Sequence, residues 1–295
     1  MPGLGLPPRP KGGGPRTGPL PLHPMTLGDI LDGAFNLLKA EFRTLMIVSA
    51  AFIVPVQLVA AFLQRDLLGG LGLFDLAVDP STTDPAFESG SAGQSVALLV
   101  AAAATVLILP FVAGAVSRVV SAAYLGDRMS PRDALRAIAG RWWVFILAWV
   151  LVHLIELVGV LFCVLPGLLA MALFVPVAPV IAIEGAGPIR AMRRAGHLVR
   201  PRLFPVLGIA LLSGLLASTV GQVLSTVPTF LALIVGLRWG WILLAAGSIV
   251  TSLVTTPFVA IVATLVYYDG RIRQEGLDLQ VMAADLARGP DPRPA

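Results

Sequence analysis

The hydrophobic pattern of this chain consists of six long apolar runs separated by short polar segments. The runs cover residues 44–64, 95–123, 143–163, 166–183, 203–227 and 240–268. About 20 consecutive apolar residues are enough for a helix to cross the hydrocarbon core of a bilayer. We therefore predict an all-α fold, an integral membrane helical bundle with six transmembrane helices.

The composition favours a lipid environment. Hydrophobic residues make up 57% of the 295 residues and charged residues make up 13%, whereas soluble domains have about 45–50% apolar and about 25% charged residues. The net charge of +4 does not indicate nucleic acid binding, because the basic residues lie at the ends of apolar runs and not on one face of a soluble domain.

The distribution of basic residues predicts the orientation of the bundle. With six spans, all but Arg65 and Arg238 of the 21 basic residues fall in segments on one side, and the positive-inside rule makes that side cytoplasmic. The acidic 64–94 loop then faces the exterior. Residues 203–268 are long enough for three tight spans, but two are preferred because an odd number would place the basic residues after 268 outside.

The chain is interpreted as one membrane domain between two tails. Residues 1–25 are rich in proline and glycine and lack the apolar core of a signal peptide, so we expect a disordered cytoplasmic tail. The membrane domain covers residues 26–287, and residues 288–295 form a C-terminal tail. Arginine greatly outnumbers lysine, which occurs only as Lys11 and Lys39. This bias points to a bacterial genome and hence to a bacterial plasma membrane.

A short amphipathic segment precedes each pair of spans. The three segments begin at Thr26, Ser130 and Pro188. Thr26 and Ser130 are each followed three residues later by aspartate, which is the pattern of a helix N-cap, and proline suits the first position of a helix. We predict three repeated units, each an interfacial helix followed by a membrane hairpin.

The third amphipathic segment is the most basic. Ile189, Met192 and Val199 can form an apolar stripe on it, and the polar side then carries Arg190, Arg193, Arg194, His197 and Arg200. A helix of this kind lies in the headgroup layer and attracts anionic lipid. We therefore predict that Arg190, Arg193, Arg194 and Arg200 contact anionic headgroups at the cytoplasmic face.

His153 and Glu156 are the ionisable residues that stand out inside the spans. They are three residues apart and share one face of a helix. Ionisable residues at membrane depth are costly, and they usually face protein or a water-filled cavity. We expect both side chains to face the interior of the bundle, either as a proton or cation site or as a pair that fixes helix packing.

Patterns that would indicate an enzyme are missing from the sequence. There is no His-Glu-x-x-His motif, nucleophile elbow or phosphate-binding glycine loop. His153-x-x-Glu156 has no further ligands at usable spacing for a metal, and Cys163 is the single cysteine. We predict no catalytic residues, no metal site and no cofactor.

Three segments resemble the corresponding parts of a bacterial (actinobacterial-type) family of multi-pass membrane proteins. The first is Leu27-Gly-Asp-Ile-Leu-Asp-Gly-Ala-Phe35. The second is Ala178-Pro-Val-Ile-Ala-Ile-Glu184 followed by Ala191-Met-Arg-Arg-Ala-Gly-His-Leu-Val-Arg200, and the third is Tyr267-Tyr-Asp-Gly-Arg-Ile-Arg-Gln-Glu-Gly-Leu-Asp-Leu279. This family is similar to the membrane domain of some glycerophosphoryl diester phosphodiesterases. The chain departs from the pattern at Arg194-Ala-Gly-His197, where the family has arginine-serine-tryptophan, and at Gly270, where it has leucine.

The resemblance covers roughly residues 24–283 and implies a multi-pass membrane protein of unassigned role. It does not imply phosphodiesterase activity, because no segment is long and polar enough to hold the soluble catalytic domain. The favoured hypothesis is a non-enzymatic scaffold or helper that interacts with lipid or with partner proteins. The alternative is a small proton- or cation-coupled transporter that uses His153 and Glu156. A transporter would have ionisable groups from separate spans in one cavity, whereas a scaffold would have a packed interior and a basic cytoplasmic face.

Overall fold

The fold is a bundle of α-helices. The computed structural model describes residues 24–68, 92–124, 127–235, 237–280 and 283, and no strand occurs among them. The helices are α1 (Leu27–Ala40), α2 (Phe42–Leu68), α3 (Ala92–Leu107), α4 (Leu109–Tyr124), α5 (Pro131–Ala139), α6 (Trp142–Phe162), α7 (Val164–Phe174), α8 (Val177–Glu184), α9 (Pro188–Val199), α10 (Leu203–Val235) and α11 (Leu237–Glu275).

Six segments are long and apolar enough to cross a membrane, which confirms the six-span prediction. They are Phe42–Leu63, Leu99–Tyr124, Trp142–Phe162, Val164–Glu184, Pro188–Val235 and Trp239–Glu275. The chain is therefore an all-α membrane protein. The spans are longer than predicted in the last third of the chain, where α10 continues to Val235 through Pro228 and α11 continues through Pro257 to Glu275.

Residues 203–268 hold two spans, as preferred, and these form a close hairpin. α10 and α11 pack along each other over much of their length. Gly247 of α11 makes room for Pro228, because a Cβ atom at Gly247 would lie 2.6 Å from the Cβ of Pro228. Small residues let helices in membranes approach in this way, so the proline is accommodated inside one long span.

Two of the spans are broken near their middle. Ile108 separates α3 from α4 just before Pro110, and Val175 and Pro176 separate α7 from α8. Proline lacks a backbone N–H and clashes with the preceding turn. Proline thus explains why both helices are interrupted there, and both breaks border the cavities described below.

Hydroxyl and amide groups join α11 to its neighbours. The hydroxyl groups of Ser117 on α4 and Thr264 on α11 lie 2.9 Å apart in a fully buried contact. Gln57 on α2 hydrogen bonds to Ser252 and Ser248 of α11 at 3.3 and 3.4 Å. Polar contacts of this kind hold membrane helices together, and they make α11 the central helix of the bundle.

The three amphipathic segments form the short helices α1, α5 and α9. Thr26 closes a complete capping box with Asp29, and Ser130 accepts a hydrogen bond from the backbone of Asp133. Each short helix precedes a pair of spans, so all three lie at the end of the bundle where α2, α6 and α10 begin. We call this the charged end. The repeated unit itself remains a prediction, since α1 packs on α11, α5 on α4, and α9 on α8 and α6.

Most residues of the two predicted tails lie outside the described residues. Residues 69–91 of the predicted exterior loop also lie outside them. Pro24 and Met25 are the exceptions, because the tail was expected to run to residue 25. The side chain of Met25 is fully buried, and its backbone is hydrogen bonded to α11. The folded domain therefore includes Met25.

Candidate functional sites: an intramembrane cavity and a charged cluster

One turn of α6 carries His153 and Glu156. Nε2 of His153 lies 3.9 Å from Oε2 of Glu156, which is too far for a hydrogen bond. Nδ1 of His153 lies 3.0 Å from the carbonyl oxygen of Trp149. A carbonyl only accepts hydrogen bonds, so Nδ1 carries the proton, and in the neutral ring the lone pair of Nε2 is free to face Glu156.

The pair lies on the wall of a cavity of about 390 Å³ between α4, α6, α7 and α8, which we call the pair cavity. Its lining is mostly apolar and includes the rings of Phe145, Trp149 and Phe174. The side chain of Glu156 is 22% exposed and that of His153 is 48% exposed. Both side chains line the cavity, with His153 on its more exposed side, and the expectation that both face the interior of the bundle stays a prediction.

A second cavity of about 640 Å³ adjoins the first and is bounded by α4, α8, α10 and α11. We call it the hydroxyl cavity, because its polar lining is supplied by Ser218, Gln222, Ser225, Thr251, Thr255 and Thr256. Leu109, Ala113, Val175 and Ala178 line both cavities. They flank the breaks in the two bent spans, so the breaks and the cavities occupy the same level of the bundle.

The two cavities meet only part of the criterion set above for a coupled transporter. A coupled transporter was expected to bring ionisable groups from separate spans into one cavity. Among the described residues that line the cavities, the ionisable groups are His153 and Glu156, and both belong to α6. The other polar side chains of the two linings carry hydroxyls, one amide (Gln222) and the indole N–H of Trp149. One of them, the buried hydroxyl of Thr251, has no hydrogen-bond partner within the described part of the chain.

A cluster of ion pairs lies at the charged end. Nε of Arg194 on α9 donates to both carboxylate oxygens of Glu184 on α8, at 3.1 and 3.2 Å, and its guanidinium also pairs with Glu275 on α11. Arg271 donates to Glu275 at 3.0 Å and to the hydroxyl of Tyr267 at 3.1 Å. The hydroxyl of Tyr267 in turn donates to Glu184 at 3.0 Å. α8, α9 and α11 are thus joined in one ring of charged contacts.

Asp269 is the centre of a second group of contacts beside this ring. Its side chain is 6% exposed, and it accepts hydrogen bonds from Arg202 at 2.6 Å and Arg273 at 2.8 Å. It also accepts a hydrogen bond from the backbone N–H of Met25 at 2.8 Å, and Arg273 donates to the carbonyl of Met25 at 2.9 Å. Three hydrogen-bond donors offset the free-energy cost of burying this carboxylate.

The four arginines predicted to contact lipid divide into two groups. Arg190, Arg193 and Arg200 are exposed on the outer face of α9, together with His197, and no ion pair involves them within the described ranges. Arg194 faces inward and bridges Glu184 and Glu275. Both of its carboxylate partners belong to the protein, and its headgroup contact stays a prediction.

The three residues of the predicted apolar stripe of α9 differ in burial. Val199 is buried, Ile189 is 65% exposed and Met192 is partly buried. The buried positions are Ala191, Ala195, Gly196, Leu198 and Val199. These residues pack against the bundle and not against lipid, so α9 covers the charged end and is held with its basic face outward.

Sequence reasoning missed the charged cluster, although signals for it were present. Asp269 and Arg273, and likewise Arg271 and Glu275, are four residues apart and therefore adjacent on one helix face. Met25, Glu184, Arg194 and the 267–279 segment all lie in or next to the three segments that carry the family resemblance. The structure brings these distant segments together at one end.

The arrangement shows no constellation for metal chemistry. Among the described residues, no group of three or more histidine, cysteine, aspartate or glutamate side chains is placed to hold a metal ion. The carboxylates of the cluster are instead occupied by arginine.

Comparison with known proteins gives one match. A family model described as a domain of unknown function, DUF7847, matches residues 150–269. The matched part runs from α6, including His153 and Glu156, to Asp269 in α11. No curated protein matches the chain, and no solved structure matches it.

Proposed function

We propose that this protein is a non-enzymatic membrane scaffold or helper of the bacterial plasma membrane, and that its charged end faces the cytoplasm and binds anionic lipid headgroups through α9. The observation that carries the proposal is the division of the arginines. Arg194, Arg202, Arg271 and Arg273 each have a carboxylate partner. Arg190, Arg193 and Arg200 are exposed without one in the described part of the chain.

The packing of α9 supports an organised binding face. Ala191, Ala195 and Leu198 are buried against the bundle, so the helix cannot rotate to hide its charges. Each basic side chain near an anionic surface contributes about 1 kcal/mol, and salt screens that contribution. Three arginines and a histidine on one face therefore favour phosphate headgroups in a membrane that contains anionic lipid. Protein partners that carry acidic surfaces would meet the same face.

Lipid retention by the purified full-length protein tests this proposal. The protein is extracted from membranes of mixed phosphatidylglycerol and phosphatidylcholine, and the retained lipid is quantified by mass spectrometry. The variant R190Q/R193Q/R200Q is expected to lose most of its preference for phosphatidylglycerol. The control R128Q/R132Q/R136Q removes the same charge from exposed arginines on or next to α5 and is expected to keep that preference.

Two outcomes of this experiment would contradict the proposal. If R190Q/R193Q/R200Q retains phosphatidylglycerol as the parent protein does, α9 is not the headgroup site. If both triple variants lose the preference equally, net charge is responsible and the specific role of α9 is contradicted. Repeating the extraction at high salt should reduce retention by the parent protein, because the contacts are electrostatic.

The second candidate function is coupled transport of a proton or cation through His153 and Glu156. The observation that favours it is the position of both side chains on an open cavity at the level of the two broken spans, since binding sites of transporters occur beside interrupted helices near the midplane. In proteoliposomes under a pH gradient, Glu156→Gln should then abolish proton flux while expression stays normal. A pair that only fixes helix packing predicts no such flux in the parent protein.

A further inference from the structure

We propose that the pair cavity is a binding site for a lipophilic organic cation, with Glu156 as its counter-ion. This goes beyond headgroup binding at the charged end, because it concerns a different part of the molecule and a ligand of opposite charge. The proposal rests on the position of Glu156, on the aromatic rings of the cavity and on the shortage of other oxygen ligands.

The first argument is the missing positive charge. Glu156 lies 14 residues from the start of α6 at Trp142, which at 1.5 Å per residue is about 21 Å along the helix, well inside a hydrocarbon core of about 30 Å. A carboxylate at this depth needs a partner. Among the described residues no lysine or arginine lines the cavity, and the nitrogen that lies against the carboxylate is Nε2 of His153, at 3.9 Å. A cationic ligand would complete the pair.

The second argument is the aromatic lining. Trp149 lies two turns before Glu156 on the same helix, and its ring stacks on that of His153 with the centroids 4.2 Å apart. Phe145 and Phe174 contribute two more rings to the wall. The faces of aromatic rings attract cations, with tryptophan the strongest. The aromatic rings therefore attract a cation weakly over a broad surface, and the carboxylate of Glu156 adds one full negative charge.

The third argument separates an organic cation from a metal ion. Metal cations such as Ca²⁺ take six to eight oxygen ligands and Mg²⁺ takes six, but the carboxylate of Glu156 is the single acidic group among the described residues that line this cavity. Apart from His153 and the indole of Trp149, the other side chains of the wall are apolar. The volume of the pair cavity, about 390 Å³, lies within the range of about 300–1,000 Å³ that is typical of small-molecule sites. A bulky cation with a thin hydration shell fits these surroundings.

The hydroxyl cavity adjoins the site but is separate from it. Leu109, Ala113, Val175 and Ala178 form walls of both cavities. The serine and threonine hydroxyls belong to the second cavity, so the pair cavity itself is lined mostly by apolar groups. The site thus favours a molecule with one positive charge and a large apolar body.

Equilibrium dialysis of the purified full-length protein with tetraphenylphosphonium tests the proposal. Tetraphenylborate is the matched control, because it has nearly the same shape and the opposite charge. We expect saturable binding of tetraphenylphosphonium and no saturable binding of tetraphenylborate. Glu156→Gln should weaken binding of the cation at least tenfold, whereas Glu41→Gln, the same change outside the cavity, should leave it unchanged.

A second variant guards against misfolding. Phe174→Leu removes a ring from the wall but keeps an apolar side chain, and it should weaken tetraphenylphosphonium binding several-fold with the thermal midpoint nearly unchanged. If Glu156→Gln does not fold, Phe174→Leu and the comparison of the two probe ions decide the question. Equal binding of both ions, or unchanged binding by either cavity variant, would overturn the proposal.

Discussion

The backbone N–H of Met25 donates a hydrogen bond to Asp269 at 2.8 Å, although 244 residues separate the two along the chain. The same carboxylate pairs with Arg202 at the start of α10 and with Arg273 one turn later on α11. Asp269 therefore ties the beginning of the folded domain to its last two spans. Because the side chain is 6% exposed, its contacts depend on one another.

The first prediction is that Asp269→Asn destabilises the protein. Asparagine keeps one acceptor oxygen but removes the charge, so Arg202 and Arg273 lose their carboxylate. Hydrogen bonds to charged groups contribute about 1.5–3 kcal/mol, and partial exposure of both arginines places the expected loss near the lower end. Thermal unfolding in detergent should show a lower midpoint. Asp32→Asn, on the exposed side of α1, should leave the midpoint unchanged, and an equal effect of both variants would contradict this role.

The second prediction concerns the close approach of α6 and α7. A Cβ atom at Gly159 would lie 2.9 Å from the backbone nitrogen of Gly167, so the two helices touch through their backbones. Gly159→Ala should force them apart and cost about 1–3 kcal/mol, as overpacking does. Gly208→Ala is the control, because no atom lies within 4 Å of the added methyl group. Comparison of the two thermal midpoints tests this, and a midpoint for Gly159→Ala equal to that of Gly208→Ala would show that the contact is not tight.

The sequence predicts those features of the fold that depend on local interactions, but not those that depend on contacts between distant segments. Apolar runs report local burial in lipid, so the six spans and the caps at Thr26 and Ser130 could be read directly. The lengths of α10 and α11 could not, because Pro228 lies inside α10 and packs against Gly247 of the partner helix, a contact between different helices.

The contacts of the charged cluster also divide into local ones, which the sequence predicts, and long-range ones, which it does not. The pairs Asp269–Arg273 and Arg271–Glu275 are local and follow from helical spacing. The contacts of Arg194 with Glu184 and of Asp269 with Met25 join segments far apart in the chain, so they require the packing of the whole bundle. The pair of His153 and Glu156 was found by its unusual position in an apolar run, but the shape of the cavity beside it depends on the breaks in two other spans.

The third prediction is the orientation of the bundle. In the described part of the chain, nearly all basic residues belong to segments at the charged end, and the positive-inside rule then predicts that this end is cytoplasmic. A reporter fused after Ala295 should be active only as a cytoplasmic reporter, and one inserted at Gly90 only as a periplasmic reporter. Periplasmic activity of the fusion at Ala295 would contradict an even number of spans with the charged end inside.

The last prediction uses two neighbouring arginines as controls for each other. Arg193 and Arg194 adjoin on α9, but Arg193 is exposed whereas Arg194 is bound to Glu184 and Glu275. Arg194→Gln should leave two carboxylates without their shared cation beside Tyr267. It should lower the free energy of unfolding by about 1–3 kcal/mol, which corresponds to a shift of several degrees in the thermal midpoint, and have little effect on retention of phosphatidylglycerol.

Arg193→Gln should have the opposite profile. A substitution at an exposed position without a partner changes stability by no more than about 0.5 kcal/mol, so its thermal midpoint should equal that of the parent protein. Retention of phosphatidylglycerol should fall, because one of the three exposed arginines is lost from the headgroup face. Measuring both quantities for both variants separates a structural arginine from a lipid-binding arginine. If Arg193→Gln lowers the midpoint, or if Arg194→Gln alone reduces lipid retention, the two faces of α9 do not have the separate roles assigned to them.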